Sequence, residues 1–222
     1  AAPTTTAPAP TTTAAGTTCT GASGIASGAT NLKVIKGDID GDLKDDTVTA
    51  YSLGGLPHIH AKLASGKQSD TEVQIGFGDQ VEINFHDFDH SAGAPKAPPV
   101  AVLAVGRTKA GTAQFTFLTL TTKYCIRPWH VDANTVFVGQ VSAEGPYAGL
   151  MCEGAAGHIY TSLTSAEPAG AGSWKVTTRV LHHDFTLIQF DAPQTTTIAA
   201  TETQIRHQYG DITDCGRSPL FP

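Results

Sequence analysis

Acidic residues recur at alternate positions in one short stretch of the chain, residues 38–46. This stretch reads Asp38-Ile39-Asp40-Gly41-Asp42-Leu43-Lys44-Asp45-Asp46. Counted from its first residue, carboxylates stand at positions 1, 3, 5 and 9, and a backbone carbonyl is available at position 7. Hard oxygen ligands at this spacing suit Ca²⁺. The stretch therefore predicts a structural calcium site whose ligands are Asp38, Asp40, Asp42, Asp46 and the carbonyl of Lys44.

The segments on either side of this loop show that it differs from an EF-hand. An EF-hand needs a glutamate at position 12 and a helix on each side, whereas position 12 is Thr49 and both neighbouring segments read as strands. Position 6, normally glycine, is Leu43, and a left-handed backbone there costs roughly 1 kcal/mol. We therefore predict a strand-loop-strand calcium site. The alternative is an exposed acidic turn without metal.

A pair of histidines is a second candidate for metal chemistry. His58 and His60 are two residues apart in a segment that reads as a strand, so both side chains fall on one face. Such a pair can bind a transition metal and defines a rival interpretation, a metal-dependent extracellular hydrolase. The chain has no His-Glu-x-x-His, Gly-x-Ser-x-Gly or Cys-x-x-Cys motif, so strand histidines without metal are favoured. The sequence thus favours a protein without catalysis.

A second acidic stretch, His86-Asp87-Phe88-Asp89, is a weaker metal candidate. It keeps Asp87 and Asp89 but continues His90-Ser91-Ala92, so the later ligands are missing.

Four cysteines, an even number, indicate disulfides and an oxidising compartment. Four cysteines allow three connectivities. We favour Cys19–Cys215, which would tie the two ends of the domain together, with Cys125–Cys152 inside it. A disulfide that closes a long loop contributes roughly 2–4 kcal/mol.

The elements that must position these residues read as short strands. Val, Ile, Thr and aromatic residues are concentrated in ten segments separated by Gly- and Ser-containing turns. The predicted strands are Thr47 to Leu53, Pro57 to Leu63, Thr71 to Ile75, Val81 to Phe85, Val100 to Val105, Gln114 to Leu120, Thr135 to Val141, His158 to Leu163, Trp174 to Val180 and Phe185 to Phe190. No convincing amphipathic helix is found.

A faint internal repeat suggests how these strands are grouped. Residues 34–40 can be laid over residues 83–89, an offset of 49, and looser copies follow at 137–141 and 187–191. A repeat of about 50 residues with about four strands has the size of a propeller blade. The sequence therefore predicts an all-β fold with propeller-like repeats, up to four degenerate blades. The alternatives are a β-sandwich or an open barrel.

The Asp-x-Asp-Gly-Asp-x-x-x-Asp stretch, followed by an alternating apolar strand, resembles the calcium loop of FG-GAP or VCBS repeats. Looser matches at residues 86–89, 100–106, 125–128, 138–139 and 149–152 resemble secreted actinobacterial proteins with one good copy of that loop and several degenerate ones. The resemblance implies an extracellular scaffold with integrin-type blades rather than a particular activity.

Composition bounds the remaining expectations. The net charge is −6 with only 14 Lys and Arg and no basic cluster, which argues against nucleic acid, and no apolar run is long enough to cross a bilayer. Residues 1–30 read as a disordered tether rich in Thr, Pro and Ala, open to O-glycosylation, and residues 31–222 as one β domain. A start without Met predicts signal-peptide removal and a secreted or cell-surface location.

These features together predict a monomeric surface binding or structural module with an unidentified glycan or protein partner. A further alternative is a self-assembling surface polymer, since exposed strand edges template association.

Overall fold

The computed structural model describes residues 23–75, 81–86, 89–91, 101–107, 112–121, 124–132, 135–142, 146–155, 158–183, 187–210 and 212. The first strands are β1 (Thr30–Gly37), β2 (Asp46–Leu53), β3 (Leu56–Lys62), β4 (Gln68–Glu72) and β5 (Val81–His86). They are followed by β6 (Asp89–Ser91), β7 (Ala101–Arg107), β8 (Ala113–Leu120), β9 (Ile126–Pro128) and β10 (Gly139–Val141). The last elements are β11 (Tyr147–Ala155), β12 (His158–Gly170), β13 (Ser173–His183), β14 (Ile188–Phe190), β15 (Gln194–Ala199) and helix α1 (Glu202–Tyr209).

The strands form three antiparallel sheets. Sheet 1 is a meander in the order β1-β2-β3-β4. Sheet 2 has the order β5-β7-β8-β10, and β9 also pairs with β8. Sheet 3 has the order β11-β12-β13-β14, with β15 pairing with β13 and β6 with β12.

Sheet 2 is the middle layer, and its strand β7 shows why. Alternate residues of β7 point into different cores: Val102 and Ala104 pack with residues of sheet 1, whereas Leu103 and Val105 pack with residues of sheet 3. A strand buried on both faces needs an unbroken apolar run, which is the pattern of Ala101 to Val105. A third, smaller core joins sheet 3 to α1 around Ile205.

The all-β prediction is confirmed, and the packing of successive sheets matches the β-sandwich alternative. The described strands form three sheets rather than four blades and do not close into a barrel. The first two copies of the internal repeat do correspond in position, since β1 and β5 are the outer strands of sheets 1 and 2 and lie against each other.

Each predicted strand overlaps an observed one, but the short strands β6 and β9, the longer strands β11 and β15 and one helix were missed. Strands β11 and β15 were not predicted because their Gly, Thr and Ala content resembles that of loops. The expectation of no helix was wrong. Thr201 and Gln204 form a capping box at the start of α1, a short-range signal that the Thr-x-x-Gln spacing carries.

Several predictions fall outside the described residues: most of the tether, Cys19, Asp87 and Cys215. The first strand begins at Thr30, next to the predicted domain start at residue 31. Within the described chain, no helix is both long and apolar enough to cross a membrane.

Candidate metal centre

The acidic loop connects β1 to β2 at the edge of sheet 1. Gly37, the last residue of β1, lies against sheet 2. A Cβ atom on Gly37 would stand 2.8 Å from Cε2 of Phe85, so only glycine allows the strand to come this close. The loop that starts at Asp38 is therefore placed by packing between sheets as well as by the hairpin.

Two buried residues hold the loop in place. Ile39 is 1% exposed and fills the core between sheets 1 and 2. Asp46, also 1% exposed, accepts hydrogen bonds from the backbone N–H of Ile39 at 2.9 Å and of Ala64 at 2.8 Å. Asp46 thus ties the β1–β2 loop to the turn that follows β3.

Backbone turns bring the other aspartates together. The carboxylate of Asp38 accepts hydrogen bonds from the N–H groups of Gly41 at 2.7 Å and Leu43 at 2.8 Å. Gly41 has a φ of 83° and Leu43 a φ of 68°, so both have left-handed backbones. The predicted strain at Leu43 is therefore present, and its side chain is 65% exposed, which gives the strain no compensating burial.

The result is a group of three carboxylates at the surface. One oxygen each from Asp38, Asp40 and Asp42 can be chosen so that all three lie within 4.8 Å of one another. Partial burial raises the pKa of Asp40; the nearby charges of Asp46, Asp42 and Asp38 act in the same direction, against a hydrogen bond from the Asp42 N–H. The group concentrates negative charge, and its oxygens are the hard ligands that a divalent cation requires.

The other two predicted ligands lie differently. Both carboxylate oxygens of Asp46 face backbone N–H groups, and Asp46 is outside the group of three. Lys44 donates its N–H to Asp42 at 2.9 Å and places its Nζ 3.6 Å from the same carboxylate. In the second acidic stretch, Asp89 starts β6, which pairs with β12.

The histidine pair belongs to a separate polar cluster on β2, β3 and β4. His58 and His60 both approach Asp70, which confirms that they share a face of β3. The Nδ1 of His58 lies 2.9 Å from one oxygen of Asp70, and the hydroxyl of Tyr51 donates to the other at 2.6 Å. His60 Nδ1 is 3.5 Å from Asp70, at the limit of hydrogen bonding, and its Nε2 is 3.2 Å from Gln68.

Asp70 is therefore satisfied within the protein. Burial alone would raise the pKa of Asp70, but donors on His60, Tyr51 and His58 outweigh it and hold that pKa below its usual value. We rank the shorter Tyr51 and His58 contacts above that of His60. Burial, followed by the bond to Asp70, raises the pKa of Tyr51. Because both carboxylate oxygens of Asp70 are bonded within the protein, we interpret the cluster as a structural hydrogen-bond network.

Two other histidines, His86 and His182, lie away from this cluster. His86 is fully buried in sheet 2 and contacts Thr161 at 2.9 Å, and His182 lies on sheet 3, 3.1 Å from Asp191. Within the described residues, the group of Asp38, Asp40 and Asp42 is the one set of three acidic, His or Cys side chains close enough to share a metal ion.

Asp70 and Tyr51 are the residues that sequence reasoning missed. Asp70 lies opposite His60 across the β3–β4 hairpin, and Tyr51 lies opposite His58 across the β2–β3 hairpin. Counting outward from the recognised turn at Gly54-Gly55 would have paired Tyr51 with His58. The same count from Ser65-Gly66 places Asp70 opposite Ala61, one residue from its observed partner, because the β3–β4 register is centred on Ser65.

Cys125 and Cys152 are both disulfide-bonded, and no described cysteine is a free thiol. The predicted pairings of Cys19 with Cys215 and of Cys125 with Cys152 stay predictions.

No family model matches the chain, and the searches of curated proteins and of solved structures found no match. The FG-GAP or VCBS resemblance therefore stays a prediction from the loop sequence. Function has to be argued from the site alone.

Proposed function

We propose that the protein is an extracellular, non-catalytic β module in which the β1–β2 loop binds one structural Ca²⁺ ion. The observation that carries the proposal is the convergence of Asp38, Asp40 and Asp42 to within 4.8 Å in a loop flanked by strands. The module's own ligand would be a surface glycan or protein.

Electrostatics gives the reason for a cation. Three carboxylates this close repel one another; partial burial is the main cause of the raised pKa of Asp40, and the neighbouring charges add to it. A divalent ion coordinated by their oxygens replaces that repulsion with attraction. Extracellular calcium modules work with dissociation constants of about 10⁻⁴ to 10⁻³ M, so weak binding by three carboxylates, with carbonyl or water oxygens completing the shell, would serve there.

The surroundings of the loop indicate a structural role for the ion. Ile39 and Asp46 already hold the ends of the loop, whereas Leu43 keeps a strained backbone at its exposed tip. A bound ion would stiffen this tip. The disulfide-bonded Cys125 and Cys152 agree with an oxidising, extracellular setting.

Thermal unfolding with and without CaCl₂ tests the proposal. At a hundredfold excess over the dissociation constant, calcium should stabilise the wild-type protein by about 2.7 kcal/mol and raise its Tm. Asp40→Asn and Asp42→Asn should remove most of this increase. Asp45→Asn is the matched control, because Asp45 is exposed in the same loop but lies outside the group of three.

In calcium-free buffer, the Asp40→Asn substitution should change the Tm in the opposite direction. Without calcium, Asp40→Asn should raise the Tm slightly, because it removes a carboxylate whose charged form is disfavoured in the folded state. Equal Tm values with calcium, with chelator and in all variants would contradict the calcium site.

A further inference from the structure

Strand β15 is an open edge of sheet 3. It pairs with β13 on one side, from Ser173 opposite Ala199 to Thr178 opposite Gln194. Among the described residues, no strand pairs with its other side. Gln194 to Thr197 and Ala199 are exposed.

The direction of each backbone group on β15 follows from one hydrogen bond. The N–H of Ala200 donates to the carbonyl of Gly172 at 3.1 Å, which continues the register of the β13–β15 ladder. In an antiparallel pair, hydrogen-bonded residues alternate along the strand. Thr196 and Ile198 therefore point their backbone groups towards β13, while Thr195, Thr197 and Ala199 point theirs outward.

The outward groups are not protected by charge. Residues 192–201 include no charged side chain and, after Pro193, no proline. Natural edge strands usually carry lysine, proline or a bulge that discourages pairing with another chain. In sheet 1, by contrast, the edge strand β1 carries Lys33 and Lys36.

We propose that β15 pairs with β15 of a second copy of this chain, antiparallel and about a two-fold axis at Thr197, to form a closed dimer. Opposite residues in an antiparallel pair must share a face of the sheet, so the axis has to pass through a residue rather than between two. An axis through Thr197 places Thr195 opposite Ala199 of the other copy. All three outward N–H and C=O pairs of each strand are then used, and sheet 3 continues across the dimer.

Other registers use these groups less fully. An axis through Thr196 would leave Ala199 opposite Pro193, which has no N–H to donate. The Thr197 register also places threonine against threonine at the axis, a favourable cross-strand pair. Thr195 already makes one such contact inside the sheet, with its Oγ1 3.3 Å from that of Thr177. The same geometry closes after two copies, so it produces a dimer and not the polymer that exposed edges can form.

Light scattering coupled to size exclusion, over a wide range of loading concentrations, tests the dimer. The measured mass of the wild-type protein should rise with concentration from that of the monomer towards twice that value, because a single pair of short strands forms a small interface and small interfaces associate weakly. Thr197→Pro should stay monomeric while keeping its far-UV circular dichroism, since an outward N–H can be removed without breaking the β13 ladder. Thr197→Lys should also stay monomeric, because it sets two like charges directly opposite each other.

Thr203→Lys is the matched control, with the same substitution on an exposed position of α1, and it should dimerise like the wild type. A wild-type protein that stays monomeric throughout, a species that grows beyond two copies, or a Thr197→Lys variant that still dimerises would each overturn the proposal.

Hydrogen exchange measured by NMR at low and high concentration gives a residue-level check. The amide protons of Thr196 and Ile198 should be protected at both concentrations. Those of Thr195, Thr197 and Ala199 should gain protection only at high concentration. Equal exchange of the second group at both concentrations would place the contact elsewhere and reject the β15 dimer.

Discussion

Two polar clusters on sheet 1 shift the pKa of an aspartate in opposite directions. In the β1–β2 loop, partial burial and neighbouring carboxylates raise the pKa of Asp40. On β4 of the same sheet, burial also acts to raise the pKa of Asp70. Donors on His60, Tyr51 and His58 outweigh burial and hold that pKa below its usual value. The residue type is the same, and the neighbours reverse the shift.

The difference indicates which cluster is the better candidate for an external ligand. Asp70 has its negative charge compensated by protein donors, so a metal ion there would have to displace existing hydrogen bonds. Asp38, Asp40 and Asp42 have one another and backbone N–H groups as neighbours, and the exposed ammonium of Lys44 lies 3.6 Å from Asp42. The histidine cluster therefore reads as internal support for sheet 1, and the acidic loop as the place where an external cation would lower the free energy.

Replacing Asp70 should cause the largest loss in the free energy of unfolding. Asp70→Asn removes the charge that receives the Tyr51 hydroxyl and His58, and its amide nitrogen presents a donor to one of them. Hydrogen bonds to buried charged groups contribute about 1.5–3 kcal/mol, so we expect a loss of roughly 3 kcal/mol in the free energy of unfolding. Urea denaturation measures it.

Glu72→Gln is the control for Asp70, because Glu72 is exposed two residues further along β4. Its effect should stay within about 0.5 kcal/mol. An equally small effect for Asp70→Asn would remove the contrast between the two clusters.

Replacing Asp46 should cause the second largest loss of stability. The same substitution tests whether Asp46 anchors the loop or binds the metal ion. Asp46→Asn leaves the N–H of Ile39 or Ala64 facing an amide nitrogen in a buried position, at a cost of about 2 kcal/mol. If Asp46 only anchors the loop, unfolding experiments should show the same loss with and without calcium. A loss that appears mainly with calcium would instead support the ligand role predicted from the sequence.

Acidification should change the contributions of the two clusters to the free energy of unfolding in opposite directions. This is the smallest of the expected effects. The lowered pKa of Asp70 gives stability that is present above its unfolded value near 3.8 and is lost as the pH falls through the folded value. The raised pKa of Asp40 gives a penalty that is relieved as the pH falls through its folded value towards 3.8.

Stability curves in calcium-free buffer should separate these contributions. Asp70→Asn should be less sensitive than the wild type below pH 4, and Asp40→Asn should lose the small gain on acidification above it. Parallel curves for all three proteins would mean that neither carboxylate differs from an ordinary surface aspartate.

Much of the fold could be predicted because strand patterns are local. Alternation in residues 114–120 placed Phe115 and Phe117 on one face and Leu118 on the other, and these residues enter different cores. The grouping into sheets was harder. It depends on which faces of neighbouring sheets bury each other, and a weak repeat of about 50 residues does not specify that.

The candidate site was predicted in part for the same reason. The spacing of Asp38, Asp40 and Asp42 is a property of nine consecutive residues, and the structure brings these three together. The role of Asp46 depends on Ala64, in the turn that follows β3, and that of Asp70 depends on Tyr51, on β2.

The amino-acid sequence alone determined that the chain forms strands, where the hairpins turn, and that one loop gathers carboxylates. Each of these follows from side chains within a few positions of one another. Only the tertiary structure decided which aspartates are satisfied by the protein, because that depends on donors that strand pairing brings from distant positions. It also decided which edge of sheet 3 stays open, since an unpaired strand is defined by what its neighbours leave uncovered.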